Sequence, residues 1–351
     1  MNILIVKLSA IGDVVHTLPA LNALRRYYPD AHITWVVEEA AASLVLGHAA
    51  LDRVIISRRK RWIKQLKAAP GIVISEARTF LRELRDTEYE VILDFQGLLK
   101  SAVLVALARG KRKIGFGRGM QHQEASYLFY NEPVPAVDME VHALLRYIRM
   151  LAPLGIPESI PIEYLLPVSQ EDRREASRLV KETRNGRSHV AAVNPVAQWD
   201  TKLWPPEKFA RLADALVERH DTSVVFTGGP EDGPAIERIQ ALMKNRGLNL
   251  AGKTSLPGLA ALYKAVDVVV TTDTGPMHIA AAAGAPVVAL FGPTAPWRTG
   301  PFGDNNRVVR ADLSCSPCFK RACDAWECMD RITVDQVLAA VVELRPDMSA
   351  D

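Results

Sequence analysis

Residues 266–292 leave this chain little choice of fold. Val-Asp-Val-Val-Val at 266–270 is short, β-branched and nearly uncharged, the pattern of a strand buried on both faces. Thr271-Thr272-Asp273-Thr274-Gly275 then turns, and Pro276 stands where a helix begins, a position at which its missing N–H costs nothing. Ile279-Ala280-Ala281-Ala282-Ala283 is small and apolar, so the helix can lie close on a sheet. Gly284 ends it, and 285–292 opens the next strand. Such a strand–turn–helix–strand unit aims free backbone N–H groups and a positive dipole end past the strand tip. That geometry suits a phosphate.

The rest of the chain has room to repeat the unit. At 351 residues it is too long for one ordinary core and fits two α/β domains. Strand-like runs at 3–6, 33–37, 54–56, 91–93 and 113–115 alternate with helical patterns at 14–27, 80–85 and 98–108. Alternation of this kind implies a parallel sheet covered by helices. Pro153, Pro157, Pro161 and Pro167 interrupt any regular element and mark a linker. Beyond it come helices at 171–183, 206–218, 256–265 and 334–344, and strands at 190–193 and 223–226. The expected fold is α/β, two doubly wound parallel-sheet domains at 1–165 and 166–351, with a last helix free to pack back on the first. Tandem domains of this type would set both groups of strand tips around one cleft, where open α/β sheets bind ligands.

Composition narrows partners and compartment. The net charge of +3 provides no global attraction for nucleic acid. Hydrophobic content of 48% and charged content of 24% fit a soluble globular protein, and charges or Pro/Gly interrupt every apolar run before it reaches the length of a bilayer span. The opening run, Met1 to Val6, is short and soon meets Lys7 and Asp13, so it reads as a first strand of a cytosolic protein and not as a signal peptide. All four cysteines, Cys315, Cys318, Cys323 and Cys328, fall in fourteen residues as C-x2-C-x4-C-x4-C. Reduced thiols are the default in the cytosol, and a structural metal cluster is the other reading.

Several constellations sit at strand exits. Ser9-Ala10-Ile11-Gly12-Asp13 leaves the first strand where a ligand would lie; Gly12 permits close backbone approach, and Asp13 is either a helix cap or a general base that takes a proton from a hydroxyl. Asp273 and Thr274 are likewise cap or ligand. A carboxylate repels phosphate, so Asp273 shapes the turn or meets a ribose, while Thr274, Gly275 and the N–H groups after them are the better phosphate ligands. His278 is either a core histidine or, from the first helical turn, a contact of the same anion. Lys202, in Lys202-Leu203-Trp204-Pro205, is a solvated loop lysine or a cation for a diphosphate; Trp204-Pro205 reads as packing before a helix. Glu231 and Asp232 follow Thr227-Gly228-Gly229-Pro230 and either cap a helix or accept hydrogen bonds from ribose hydroxyls.

Residues 58–67 pack Arg58, Arg59, Lys60, Arg61, Lys64 and Lys67 without one acid. The run is a solvated face or, with Trp62, Ile63 and Leu66 interleaved, a surface for anionic lipid head groups. Asp94-Phe95-Gln96-Gly97-Leu98-Leu99-Lys100-Ser101 adds polar groups at another strand tip. No G-x-x-x-x-G-K-[ST] loop and no G-x-G-x-x-G after the first strand supports an ATPase or a Rossmann dehydrogenase, and Gly115-Phe116-Gly117-Arg118-Gly119 is in the wrong context for one. No paired Asp-x-Asp stands at a strand end, which disfavours a Mg²⁺-dependent nucleotide-sugar site.

These residues resemble the heptosyltransferases of lipopolysaccharide core assembly, glycosyltransferase family 9, over nearly the whole chain. The resemblance is specific at Val6 to Asp13 with His16-Thr17-Leu18-Pro19, at Val36-Val37-Glu38-Glu39, at Asp94 to Ser101, at Lys202 to Pro205, at Asp273-Thr274-Gly275 with His278, and at Phe291-Gly292-Pro293-Thr294. The resemblance is strongest to members that add the first heptose, acting on Kdo-lipid A. The resemblance implies a GT-B fold with acceptor on the N-terminal domain, at Ser9, Gly12, Gln96, Lys100 and the basic run including Arg58, Arg59 and Arg61. It implies ADP-heptose on the C-terminal domain, with Lys202, Asp273, Thr274, Gly275 and His278 on the diphosphate, Glu231 and less directly Asp232 on ribose, and Thr254 near adenine. It further implies Asp13 as catalytic base, inversion in one displacement and no required metal or other cofactor, Lys202 and the helix N-terminus taking the leaving-group charge.

The chain departs from those relatives in two places. His122, within Gln121-His122-Gln123-Glu124, stands where they carry an arginine, and the cysteine cluster is missing from the best-known members. The expected protein transfers heptose from ADP-heptose to a lipid-linked core oligosaccharide, working in the cytoplasm at the inner face of a Gram-negative inner membrane. Two rivals remain at this point, a nucleotide-sugar epimerase or hydrolase on the same frame and a non-catalytic sugar-nucleotide-binding module.

Overall fold

The computed structural model describes residues 1–120 and 124–349, so His122 lies outside the described residues. The chain divides into two units, Met1–Pro167 and Val168–Asp351. The first runs β1 (Asn2–Val6), α1 (Ile11–Tyr27), β2 (His32–Glu38), β3 (Arg53–Ser57), α2 (Arg59–Gln65), α3 (Pro70–Arg85), β4 (Glu88–Asp94), α4 (Leu99–Leu107), β5 (Arg109–Phe116), β6 (Glu132–Val134) and α5 (Ala143–Arg149). The second continues with α6 (Gln170–Arg184), β7 (His189–Asn194), α7 (Pro206–Arg219), β8 (Thr222–Phe226), α8 (Gly233–Leu242), β9 (Leu248–Asn249), α9 (Leu256–Ala265), β10 (Val268–Thr272) and α10 (Gly275–Ala282). It closes with β11 (Val287–Phe291), α11 (Pro296–Thr299), β12 (Asn306–Arg310), α12 (Glu327–Asp330) and α13 (Val334–Leu344).

Each unit holds one all-parallel sheet, ordered β3-β2-β1-β4-β5-β6 in the first and β12-β11-β10-β7-β8-β9 in the second. Counted from its own first strand, each has the order 3-2-1-4-5-6 of the doubly wound Rossmann-like fold. Central strands of such sheets are covered on both faces. That is why Ile3-Leu4-Ile5-Val6 and Val268-Val269-Val270 are continuous apolar runs, all fully buried. Leu4, Val6, Val36 and Ile92 pack with Phe80, Leu84 and Val105 in the first core, and Val193, Val224 and Val270 pack with Phe209, Leu216 and Val341 in the second. The last helix, α13, lies against α7, β11 and β12 of the second unit.

Some boundaries differ from the apolar pattern for identifiable reasons. The strand expected at 266–270 starts two residues later, because Val266 N–H closes α9 on the Leu262 carbonyl. The Asp267 carboxylate accepts from Val190 N–H and from Arg345 at 2.8 and 3.1 Å, which stitches the entrance of β10 to β7. Helix α3 extends ten residues N-terminal of its expected start at 80, beginning with Pro70 at a first-turn position. The proline-rich stretch holds a single turn at Ala152–Leu154 and no helix or strand from there to 167.

Candidate active site

In a sheet of this order the chain leaves in opposite directions on the two sides of the central strand pair, and ligands bind beyond the strand tips at that reversal. In the first unit the pair is β1 and β4, which end level, with Val6 opposite Asp94. The two exits interlock. Gln96 Oε1 accepts the N–H groups of Leu8 and Ser9 at 3.1 and 3.0 Å, and Lys100 Nζ donates to Ser9 Oγ at 2.9 Å. Gly12 is buried in the first turn of α1, and Asp13 follows it. Ser9, Gly12, Asp13, Gln96 and Lys100 are therefore brought together at one strand exit.

Asp13 is not the residue at the helix cap, which is Ala10, but it does part of a cap's work: its Oδ2 accepts the Ala10 N–H at 3.0 Å. The other oxygen, Oδ1, accepts the Tyr147 hydroxyl at 3.1 Å and lies 3.8 Å from Lys7 Nζ, with the side chain 39% exposed. A carboxylate held at both ends yet open to solvent is placed to receive a proton.

Sequence alone assigned neither Lys7, though it falls within the Val6 to Asp13 motif, nor Tyr147 a role at the site. Lys7 directly follows the buried apolar strand β1, and a cation at that exit was the available signal. Burial pushes its ammonium below the usual lysine range, with Asp13 and Asp94 opposing. Asp94 is fully buried beneath the same exits; it accepts the N–H groups of Gln96 and Gly97 and the hydroxyls of Ser101 and Tyr130. Burial still raises its carboxyl above the usual range.

The basic run reads differently in three dimensions. Its first four cations meet acids from other elements: Arg59 and Lys60 reach Glu38 at 3.2 and 3.4 Å, Arg58 reaches Glu39 at 3.0 Å, and Arg61 makes a two-pronged contact with Glu76 at 2.7 Å. Lys100 also approaches the buried Glu38, at 4.0 Å, and burial ahead of its neighbours lowers its pKa. Glu38 thus ties the run to the Asp13 exit. Lys64 and Lys67 have no ion pair among the described residues and stand with the exposed Ile63 and Leu66.

In the second unit the central pair is β7 and β10, with Asn194 opposite Thr271. Thr272 Oγ1 donates to the Val196 carbonyl at 2.7 Å and ties the two exits together. Lys202, in a single turn after β7, has its Nζ 2.5 Å from Asp273 Oδ2 and 4.5 Å from the centre of the Trp199 ring. The same carboxylate oxygen accepts Thr294 Oγ1 at 2.6 Å. Asp273 is hence engaged inside the protein, which fits a turn-shaping role. Thr274 occupies the cap of α10 without a side-chain cap bond, Gly275 begins the helix, and His278 is buried in its first turn. In this first turn Pro276 has no N–H and the Met277 N–H is taken by the Thr274 carbonyl at 3.1 Å, so the Gly275 N–H and the positive end of the dipole, with Lys202, are what the turn offers an anion.

Of the neighbouring acids, Asp232 is bonded to the backbone: its Oδ2 accepts the Gly229 N–H at 2.6 Å. Glu231 is exposed. Thr254, half-buried, precedes the Ser255 cap of α9 on a turn bound to the 228–232 loop by Gly252 N–H to the Gly228 carbonyl. Gly252 has φ +69°, and a Cβ there would meet Pro230 Cα at 2.8 Å, so only glycine closes that contact. Trp204 is buried, donates to the Ile332 carbonyl and packs edge-on against Phe209, as the packing reading required.

Cys315, Cys318, Cys323 and Cys328 carry two readings from sequence, reduced thiols and a structural metal cluster. The four line one small cavity of about 220 Å³, but among the described residues no group of His, Cys, Asp or Glu is placed to hold a metal ion. The segment is used as a brace instead. Ser316 Oγ donates to the Gly292 carbonyl, Cys318 and Phe319 N–H to Pro293, and Thr201 Oγ1 to the Lys320 carbonyl. These bonds support the loops that carry Thr294 and Lys202.

Two Rossmann-like units, one presenting a carboxylate at its reversal point and the other a lysine beside a helix N-terminus, are the makings of a GT-B glycosyltransferase. The family model of glycosyltransferase family 9 (heptosyltransferase) matches residues 77–328, and the chain belongs to that family. It is 32% identical to lipopolysaccharide heptosyltransferase 1 of Pseudomonas aeruginosa, over 92% of this chain and 87% of the relative. To lipopolysaccharide heptosyltransferase 1 of Escherichia coli it is 31% identical, over 89% and 94%. Among solved structures it is similar to the E. coli heptosyltransferase WaaC with ADP, at a TM-score of 0.79 and 28% identity, covering 98% of this chain and 100% of that one. A second structure of that enzyme, with ADP-2-deoxy-2-fluoro heptose, matches at a TM-score of 0.76, 28% identity and coverage of 98% and 99%.

Proposed function

We propose that this chain is an inverting heptosyltransferase that moves heptose from ADP-heptose to the inner core of lipopolysaccharide. The observation that carries the reading is Asp13, half-open at the reversal point of the first unit and held by Ala10 N–H and Tyr147 on opposite oxygens. In the proposed reaction an acceptor sugar hydroxyl gives its proton to Asp13 as its oxygen attacks the anomeric carbon, and the bond from that carbon to ADP breaks. The second unit holds the departing diphosphate. Lys202 and the N-terminus of α10 receive its charge, Thr274, Gly275 and His278 line the same anion, Glu231 meets the ribose, and Thr254 borders the adenine. Asp273 acts through Lys202 and the turn. With these donors in place, the leaving group is stabilised without a metal.

Ser9, Gln96 and Lys100 support the acceptor beside Asp13, with Arg58, Arg59 and Arg61 addressing its anionic groups. No helix among the described residues is long and apolar enough to cross a membrane. Ile63, Leu66, Lys64 and Lys67 on and after α2 are instead the surface proposed to touch an anionic bilayer, on the cytoplasmic face where ADP-heptose is available.

The deciding experiment incubates the protein with ADP-heptose and a panel of truncated core lipids and reads products by mass spectrometry. A gain of one heptose on one lipid is expected, with inversion seen by NMR of the product. Asp13→Asn should lower turnover by roughly 10²–10⁴ while ADP binding persists. Free heptose or an altered donor formed without lipid would point to the hydrolase or epimerase, and ADP binding with no turnover on any lipid would point to a binding module.

A further inference from the structure

Lys7 takes no part in the reaction just described, yet its surroundings are unusual for a lysine. It is 2% exposed, and a buried cation persists only with partners. Nζ donates to the Phe95 carbonyl at 3.0 Å and to the Tyr147 hydroxyl at 2.6 Å, and it lies 3.8 Å from Asp13 Oδ1. Tyr147, from α5, packs edge-on against Phe95 and sends its hydroxyl to that same Oδ1 at 3.1 Å. An ammonium has donors and no acceptor, so the direction of the chain is settled. Tyr147 accepts from Lys7, and its own proton therefore points at Asp13.

We propose that Lys7 and Tyr147 are positioning residues for Asp13, a one-way relay of hydrogen bonds that sets the orientation of Oδ1 and keeps it free of a proton until the acceptor arrives. The proposal rests on the reading of Asp13 as the base. With Ala10 N–H on Oδ2 and Tyr147 on Oδ1, the carboxylate cannot rotate without losing both bonds. Each bond to the charged form, and the ammonium behind it, favours ionisation. A purely structural Lys7 would need only its bond to Phe95, which ties the exits of β1 and β4. The charged and titratable groups around the relay are Asp94 at the end of β4, Lys100 on α4, Arg146 on α5, and the His16–His142 ring pair between α1 and α5, with centroids 5.0 Å apart.

The test compares wild type, Tyr147→Phe and Lys7→Met by the pH dependence of kcat and by ¹³C NMR titration of the Asp13 carboxyl, assigned by difference from Asp13→Asn. Losing a hydrogen bond or a cation that favours the charged form raises a carboxylate pKa by roughly one unit or more. The acid limb of kcat and the Asp13 titration should therefore both move up by about one pH unit in Tyr147→Phe and further in Lys7→Met, with KM for the donor within about twofold of wild type. An Asp13 titration unmoved in Tyr147→Phe overturns the proposal. That variant keeps the ring and its packing, so it decides alone should Lys7→Met fail to fold. Undiminished turnover in Asp13→Asn would defeat the base reading while the carboxyl titration still reports on the relay, so the two failures are distinguishable.

Discussion

At Asp13 and at Asp273 the same residue type does opposite work, and the difference comes from what surrounds each carboxylate. Asp13 takes one donor on each oxygen, Ala10 N–H and the Tyr147 hydroxyl, and its side chain stays 39% exposed, which leaves lone pairs open to solvent. Asp273 is buried, with Lys202 at 2.5 Å and Thr294 at 2.6 Å on a single oxygen. Removing Lys202 alone would strand that buried charge, which costs about 3–5 kcal/mol for a fully enclosed pair and less here, where the lysine is 15% exposed. Lys202→Met should therefore lower both Tm and, by roughly 10²–10³, the rate of heptose transfer. Adding Asp273→Asn should recover the Tm but not the rate. Calorimetry and transfer assays on the single and double variants check this, and equal recovery of both would make Lys202 structural only.

At the scale of elements, β5 and α2 show what an isolated segment conceals. Gly115 closes the strand expected at 113–115 and lies in β5, but the pattern gave no reason for a glycine there: the Tyr130 ring crosses directly above it. A Cβ at 115 would stand 2.4 Å from that ring. The ring cannot retreat without breaking the 2.8 Å bond from its hydroxyl to Asp94, which also holds Gln96 and Gly97. Gly115→Ala should thus destabilise the first unit by about 1–3 kcal/mol, read by denaturant unfolding. Helix α2 carries the basic run, whose arginines are matched by Glu38, Glu39 and Glu76 from elements that precede and follow it. Ile63 remains 63% exposed beside Lys64. At about 1 kcal/mol per basic residue near an anionic surface, Lys64→Glu with Lys67→Glu should weaken binding to phosphatidylserine vesicles at least tenfold, most visibly at low salt. Unchanged co-sedimentation would remove α2 from the membrane contact.

On the scale of the molecule, the two units have separate cores, and the first contains a pH-sensitive latch. His48 Nδ1 accepts the Ala50 N–H at 3.1 Å, so Nε2 must donate to the Tyr164 carbonyl at 3.2 Å, which fastens the loop after β2 to the stretch that leads out of the unit. Burial lowers the His48 pKa below 6.5, outweighing the Tyr164 bond, and a proton on Nδ1 would face the Ala50 donor. The unfolded chain then binds the proton more tightly than the folded one, so this stability is present above pH 6.5 and lost as pH falls through the lower folded value. The Tm of the first unit should decline below about pH 6.5, and His48→Gln should flatten that slope; equal slopes would exclude the latch. In the second unit, ADP at about one hundred times its Kd should add roughly 2.7 kcal/mol, read as slowed amide exchange in β7, β10 and α10.

Local pattern was enough to reveal the strands, the helices, the proline-rich boundary and the Asp273-Thr274-Gly275 turn, because apolar period and turn chemistry are properties of neighbouring residues. The same pattern placed Asp13, Gln96 and Lys100 at strand tips, since an exit from a parallel sheet is legible wherever its strand is. What the linear chain withheld was the company those residues keep. Tyr147 reaches Asp13 across 134 residues, Glu76 meets Arg61 from another helix, and Thr294 engages Asp273 from the loop after the neighbouring strand, β11. Charge state and side-chain aim depend on distance in space, which only packing sets. For that reason the sequence alone could point to a carboxylate and a cation, while the tertiary structure decided how each is held.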